Sequence, residues 1–359
     1  MGIRADQSGF LSFRPTRRHL LGAATSGLSV LLLGPHASSV VAQDATPTPC
    51  SETSTEESIA IAQAYFDAFN AGDIDAIGAL LADNYQHRGA LVSTQDRALH
   101  LDRIAVNLAA FPDAGYSIED ITANGDLVAV RSVFRGTLQG PYAGVEPEGQ
   151  PVAVRAVHIH RIACGQIVET WNSGDGLGLL RQIGALPGGP AAKTPEHQAA
   201  TPIATPSAEC MAGNPEENAE VARRWTEALA VQDLDLLDEF VSEDLVHHSG
   251  FYVDSIGREA LKDNFRDLFS AFPDVTFTVD VVVADEEGAV VRWTGSGTND
   301  GSFQGQEPTG LPVTFTGINS YRIACGIIIE GWSDTDSLQL LQQLGFVGDI
   351  YPGPATPVS

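Results

Sequence analysis

The chain has 359 residues, 43% hydrophobic and 18% charged, with 46 Asp and Glu against 20 Lys and Arg for a formal net charge of −26. That length suits two ordinary domains, and that apolar content excludes a chain disordered throughout. So acidic a surface repels phosphate backbones and anionic lipid, which argues against nucleic-acid binding and peripheral membrane binding.

The first segment, residues 1–42, reads as an export signal. Arg17-Arg18 stands directly before an apolar run from Leu20 to Leu33, and small residues surround Ala42. The run is too short and too rich in Gly and Ala for a membrane span of ~20 apolar residues. A cationic start, a weak apolar stretch and a small-residue cleavage site predict export, and the paired arginines suggest the twin-arginine route, with a general secretory signal as the alternative. Cys50 sits in Thr46-Pro47-Thr48-Pro49-Cys50, which is no lipidation site, so no membrane anchor is expected. The expected location is extracellular, periplasmic or in the cell wall.

A domain over residues 50–186 follows. Helical spacing covers 56–69, with Ile59, Ala62, Phe66 and Phe69 on one side. A short helix at 74–81 follows Asp73, and a third at about 96–111 stops where Pro112 follows Phe111. Strands are predicted at 117–122, 127–136, 152–162 and 166–171, then a last short helix at 177–183. Residues 187–209 read as a Pro, Ala and Thr linker. The same order then recurs over 210–348, before a tail at 349–359.

The recurrence is visible residue by residue. Phe111-Pro112-Asp113 returns as Phe272-Pro273-Asp274, and Arg161-Ile162-Ala163-Cys164-Gly165 as Arg322-Ile323-Ala324-Cys325-Gly326. Trp171, Asp175, Gln182 and Gly184 return as Trp332, Asp336, Gln343 and Gly345, and His87 as His247. The period is far above that of solenoid repeats, so each copy is a whole domain. Helices first and a mostly antiparallel sheet after is an α+β arrangement, with the helices on one sheet face.

Further motifs carry a resemblance. Gly140-Pro141-Tyr142-Ala143-Gly144 matches Gly301-Ser302-Phe303-Gln304-Gly305, and Glu146–Gly149 matches Glu307–Gly310. With the Phe-Pro-Asp turn, the Arg-Ile-x-x-Gly turn and Trp-x-x-x-Asp before Gln-x-Gly, each copy resembles the SnoaL-like polyketide cyclase or ester cyclase family of the nuclear-transport-factor-2-like superfamily. The resemblance implies two tandem cone-shaped domains, each a curved sheet wrapped by N-terminal helices around an apolar pocket.

The cysteines fall in matching places. Repeat symmetry in an oxidising compartment favours Cys50–Cys164 and Cys210–Cys325, with buried free thiols as the alternative. No Cys-x-x-Cys or His-Glu-x-x-His spacing and no phosphate loop occurs, so neither metal nor cofactor is expected.

Any chemistry would therefore be acid–base work in an apolar pocket. The resemblance puts the acid or base at Asp175 and Asp336, with His87 and His247 beside the pocket. Each Asp also precedes a helix, and a capping carboxylate is the equally open reading. His158 and His160 share one strand face, where copy two has Asn319 and Tyr321. These four, with Tyr65 and Trp225, Tyr142 and Phe303, and Trp171 and Trp332, are candidate pocket walls, and Gln182 and Gln343 candidate polar contacts; plain core packing is the competing reading. Arg131 and Arg292 read as ion-pair partners and His248 as a surface residue. The expectation is an exported tandem protein that binds a small apolar or polycyclic molecule, with metal-free cyclase or isomerase chemistry as an extension. The alternative is a non-catalytic ligand-binding or interaction module. The two domains could also pair through their sheets.

Overall fold

The computed structural model describes residues 53–89, 92–186, 213–250 and 254–348. The expected export signal, the linker, the tail, Cys50 and Cys210 lie outside the described residues. Both copies belong to one compact unit.

Each copy opens with a long helix, α1 (Thr55–Asn70) or α5 (Pro215–Ala230). Ser54 starts α1 by accepting from Glu57 N at 3.2 Å, and Asn214 starts α5 by accepting from Glu216 N at 2.8 Å. Such caps satisfy amide donors that have no partner in the first turn. The second element is α2 (Ile74–Leu80) in copy one and a short 3-10 helix (Leu234–Glu239) in copy two. Next come β1 (Leu81–Gly89), β2 (Val92–Asp96) and α3 (Arg97–Ala110), matched by β7 (Val241–Ser249), β8 (Ser255–Ile256) and α6 (Arg258–Ala271). The sequence reading assigned no strand to the segments holding His87 and His247. They are strands because β1 pairs in parallel with β6, and β7 with β12, a non-local contact that local periodicity does not report.

Four antiparallel strands complete each sheet: β3 (Gly115–Asn124), β4 (Leu127–Thr137), β5 (Pro151–Ala163) and β6 (Gln166–Gly174) in copy one. Copy two has β9 (Thr276–Ala284), β10 (Gly288–Thr298), β11 (Pro312–Ala324) and β12 (Ile327–Thr335). The spatial orders are β2-β1-β6-β5-β4-β3 and β8-β7-β12-β11-β10-β9. Helices α4 (Gly176–Gln182) and α7 (Ser337–Gln343) end the copies. Each sheet is thus mixed but mostly antiparallel, as expected.

The repeated motifs have local physical jobs. Asp113 accepts from Thr137 N and Oγ1, both at 2.7 Å, and Asp274 does the same with Thr298 at 2.6 and 2.9 Å. The Phe-Pro-Asp turn therefore ties the end of α3 or α6 to the last residue of β4 or β10. Gly140 and Gly301 pass against the last helical turn so closely that a Cβ would lie 2.5 Å from Ala109 O or 2.0 Å from Ser270 O. Only glycine leaves that space. Cys164-Gly165 and Cys325-Gly326 have positive φ at both residues, as a two-residue hairpin requires. Cys164 and Cys325 are both disulfide-bonded.

The sheets pack against each other through the faces turned away from the helices. Ala129, Val157, Ile159 and Trp171 of copy one form one apolar cluster with Val283, Val290 and Ile318 of copy two. Matching bonds cross the junction: Asn124 Nδ2 donates to Ala284 O at 3.2 Å, and Ser173 Oγ to Asp334 O at 2.7 Å. The Arg131 guanidinium stacks 4.1 Å from the Trp332 ring centre while pairing with Glu119 at 2.6 Å. A contact of that kind contributes about 0.5–2 kcal/mol, more when water is excluded. Arg292 pairs with Asp280, so both arginines are ion-pair partners.

Candidate functional site

In copy two the helix-covered face of the sheet encloses a cavity of about 80 Å³. Its floor includes Phe277, Trp293, Phe315 and Asn319, and α5 supplies Trp225, Thr226 and Leu229. Half-buried Ser249, Asn264 and Phe265 mark the side on which it meets solvent. Among the described residues no Asp, Glu, Lys or Arg lines it, and His247 is the one histidine in its wall. Burial pushes the His247 pKa down to about 4, helped by the nearby His248. It is an uncharged imidazole at neutral pH, with Nε2 2.9 Å from Ser333 Oγ. Asn319 accepts from Trp293 Nε1 at 3.1 Å and donates to Tyr321 Oη at 2.8 Å, which fixes its amide orientation.

Copy one uses the same backbone to close this space. Phe66 stands where copy two has Thr226, and Phe134 where it has Gly295. The Phe66 ring packs 5.3 Å from His158 and 5.4 Å from Tyr116, and Phe134 packs 5.3 Å from Tyr116. Beside them lies a cluster of imidazoles. His87 and His100 stack at 4.4 Å, and His158 and His160 at 6.0 Å. Tyr65 Oη bonds His100 Nε2 at 3.0 Å, Tyr85 Oη bonds His87 Nδ1 at 3.2 Å, and Thr170 Oγ1 bonds His160 Nδ1 at 2.9 Å. Burial holds all four histidines below their ordinary pKa, reinforced by neighbouring histidines at His87, His158 and His160 and by Arg103 at His100; His100 lies near 4 and His158 near 3. Among the described residues no group of three or more His, Cys, Asp or Glu is arranged to hold a metal ion.

The predicted wall residues divide. Trp225, Phe303 and Asn319 line the copy-two cavity, and Tyr321 packs 5.0 Å behind Trp225. Tyr65, His158 and His160 face the filled interior of copy one, and Tyr142 packs 5.3 Å from Phe111. Trp171 and Trp332 face the other way. They pair across the sheet with Ile159 and Ser320, one residue out of step with the inward-facing His160 and Tyr321, so the pleat sends them to the junction between the sheets. Gln182 and Gln343 are not free polar contacts either: each amide bonds both backbone groups of one strand residue, Ala153 at 2.8 and 3.1 Å and Thr314 at 2.9 and 2.8 Å. His248 is half-buried between Asp254 at 3.0 Å and Glu330 at 3.2 Å, bonds that hold its pKa up at about 9.

The aspartates cap helices. Asp175 Oδ1 accepts from Gly178 N at 2.7 Å and Asp336 Oδ1 from Gln339 N at 3.2 Å. No hydrogen bond joins Asp175 to His87 or Asp336 to His247, and neither aspartate lines the cavity. Burial still raises both carboxyl pKa values, Asp336 to about 7, and Asp336 Oδ2 has no partner. The residues that decide which cone is open, Phe66 against Thr226 and Phe134 against Gly295, were not singled out from sequence. A position-by-position comparison of the copies for changes in side-chain volume would have found them.

The SnoaL-like polyketide cyclase profile matches residues 59–183 and again 219–344. Among solved structures, AclR of Streptomyces galilaeus, provisionally described as a hydroxylase, is 30% identical over 38% of this chain and 87% of its own, with a TM-score of 0.36. Wild-type IdmH of Streptomyces antibioticus, provisionally a polyketide cyclase, is 31% identical over 35% of this chain and 98% of its own, with a TM-score of 0.33. A provisional SnoaL-like polyketide cyclase from Jannaschia sp. CCS1 is 25% identical over 40% of this chain and 99% of its own, with a TM-score of 0.35. No curated protein matches the chain.

The histidine cluster makes copy one sensitive to acid. Unfolded histidines take up protons near pH 6.5 while the buried ones resist, so stability is fully present above about 6.5 and is lost as pH falls toward the folded values. Each buried histidine contributes a slope of about 1.4 kcal/mol per pH unit in that window. Urea unfolding between pH 7 and 5 is expected to show this loss, and His158→Asn, the residue of copy two, to make it shallower. A midpoint flat over that range would refute the reading.

Proposed function

Because the chain belongs to the SnoaL-like polyketide cyclase family and carries the module twice, we propose that its second copy binds a small uncharged organic molecule inside the cone, while the first serves as a closed partner domain. The observation that carries this is the cavity wall of copy two, mostly apolar and aromatic with no charged side chain among the described residues. A charged ligand there would be desolvated without a counterion, which is far more costly than burying a neutral ring. Size points the same way. At about 80 Å³ the space is smaller than the ~150 Å³ that admits benzene into an apolar cavity, so a ring would be only partly enclosed and would extend toward the mouth.

A second reading, metal-free proton transfer of the cyclase or isomerase kind, is favoured by one observation. Asp336 holds its proton to near neutral pH, and one of its carboxylate oxygens is unpartnered. Asp336 does not itself line the cavity, but Thr335 and Leu340 next to it do, and a buried carboxylic acid at that edge is a proton donor.

Export is supported by the arginine pair of the leader and by the bonded state of Cys164 and Cys325, which suits an oxidising compartment. The repeat then pairs Cys50 with Cys164 and Cys210 with Cys325.

Three measurements test these proposals. In fluorine NMR, para-fluorotoluene is expected to broaden with the parent protein and para-fluorobenzoate to stay sharp. Thr226→Phe, which copies the filling residue of copy one, should abolish the broadening while keeping or raising the melting temperature; binding that survives it would place the site elsewhere. Asp336→Asn keeps a capping oxygen but removes the titrating group. A carboxyl pKa raised in the fold costs stability as pH rises from about 4 to about 7, so the variant should outlast the parent at pH 8 and converge with it near pH 4. If it also turns over a bound carbonyl compound at the parental rate, the carboxylate is only a cap. Peptide mapping without reduction should return the two repeat-symmetric disulfides, and a Cys164–Cys210 link would rule that scheme out.

A further inference from the structure

Copy one carries a recess of its own, separate from the copy-two cavity: an open groove of about 550 Å³ whose lining residues all belong to that copy. Along β4 the side chains of Val128, Val130 and Phe134 enter the cone, whereas Ala129 meets the other sheet. Arg135 is one step on from Phe134, so the pleat turns it to the outer face, where it is exposed.

The groove exists because Arg135 has small neighbours. Its cross-strand partners are Gly115 on β3 and Ala153 on β5, so both flanks of the arginine are hollow. In copy two the matching row is Thr276, Ser296 and Thr314, in which larger side chains flank a small centre. Charge differs as well. Arg135 Nη1 donates to Ser117 Oγ at 2.6 Å, and no carboxylate partners the guanidinium among the described residues. That bond occupies a lone pair of the serine and leaves its proton to donate. At the other end of the groove stands Asp113. Hydrogen bonds from the Thr137 hydroxyl and amide hold its carboxyl below the usual range, so it is ionised. Each of its oxygens retains a further lone pair.

Register gives the separation of the two ends. Ser117 lies opposite Val133, and Asp113 bonds Thr137, four residues further along β4. At ~3.3 Å per residue the ends are ~13 Å apart. The groove thus presents a cation and an anion too distant to neutralise each other, with a floor of small side chains between. A ligand with a single charge meets one exposed end, which is worth little in water. One that carries both charges at that spacing meets both. An extended chain spans ~3.3 Å per residue, so about four residues fit. We propose that this groove binds a short extended peptide with free ends, its terminal carboxylate on Arg135 and Ser117 and its terminal ammonium on Asp113. The acidic surface of the chain as a whole repels acidic peptides, and the floor at Gly115 and Ala153 suits small uncharged side chains.

The test uses the full chain and three probes in saturation-transfer NMR: tetra-alanine with free ends, the same peptide acetylated and amidated, and maltotriose. Free tetra-alanine is expected to bind, and the blocked peptide to bind at least about threefold more weakly. Arg135→Ser and Ala153→Thr each install the residue of copy two, where Thr314 keeps the same glutamine clamp. Each should weaken tetra-alanine by about twofold to fivefold, one by removing the cation and the other by filling the hollow. Broadening of para-fluorotoluene should be the same in both variants as in the parent, so the groove and the copy-two cavity stand or fall separately. The comparison of probes on the parent protein decides the matter even where a variant fails to fold. Equal binding of the free and blocked peptides would overturn the proposal, as would tetra-alanine binding that neither variant weakens. Maltotriose bound more tightly than tetra-alanine would overturn it in favour of a carbohydrate site, and no binding of tetra-alanine would end it outright.

Discussion

The pleat of β5 and β11 is the constraint on which the rest of the structure depends. The middle of each strand has one face against the helices and the other against the partner sheet, so residues 156–160 and 317–321 are all buried. Val157 and Ile159 meet the other copy while His158 and His160 point into their own cone, and Ile318 and Asn319 divide in the same way. A slip of one residue would exchange the two sets completely. Antiparallel sheets ordinarily wet one face; here covalent tethering of two copies lets both be dry. The hairpins at Cys164-Gly165 and Cys325-Gly326 hold that register from one end, and the glutamine clamps on Ala153 and Thr314 hold it from the other.

Within this frame the two copies keep the same backbone and diverge in what fills it. The turns are under steric or hydrogen-bonding constraint, as at Gly140 and Gly301 or Asp113 and Asp274, and they are identical in both. The interior is under a volume constraint only, and two routes satisfy it. Copy one packs Phe66 and Phe134 around imidazoles, using Tyr and Thr hydroxyls to meet one nitrogen each of His87, His100 and His160. His158 Nδ1 and His160 Nε2 remain without partners and face aromatic rings, not open space. Copy two places Thr226 and Gly295 at the same positions and leaves a cavity. Duplication permits such a division, since one copy can supply rigidity and a mating surface while the other retains an open site.

The junction is symmetric in outline and asymmetric in charge. Ser173 and Asp334 occupy equivalent positions, and the serine donates to the aspartate's backbone carbonyl. The Asp334 carboxyl itself is buried with no hydrogen bond to either oxygen, and burial raises its pKa although Arg155 and Arg131 lie close enough to oppose this. A homodimer would have to place that carboxylate twice on its axis. A tandem chain places it once, opposite a serine, so the two sheet faces need only be complementary, not identical. The abundant acidic residues elsewhere are mostly exposed and solvated, which is why so negative a chain still packs two ordinary cores.

The sequence by itself determined the elements governed by local physics and by repetition. The helix start at Asp73, the stop before Pro112, the hairpin glycines and the duplication could all be read directly, because caps, turns and periodicity act within a few residues of themselves. It also brought the right residue types to notice, since His158, Asn319 and Trp225 do face the cone. Tertiary structure alone decided the rest. The parallel pairing that makes strands of the His87 and His247 segments joins residues about 85 apart, which no local pattern records. Which face of β6 and β12 carries Trp171 and Trp332 follows from register, so these rings proved to be mortar between the copies and not pocket walls. Whether a cone is open depends on the summed volume of side chains from several elements, and whether Asp336 is a cap depends on where its carboxylate points. Both are properties of packing, fixed only once every neighbour is in place.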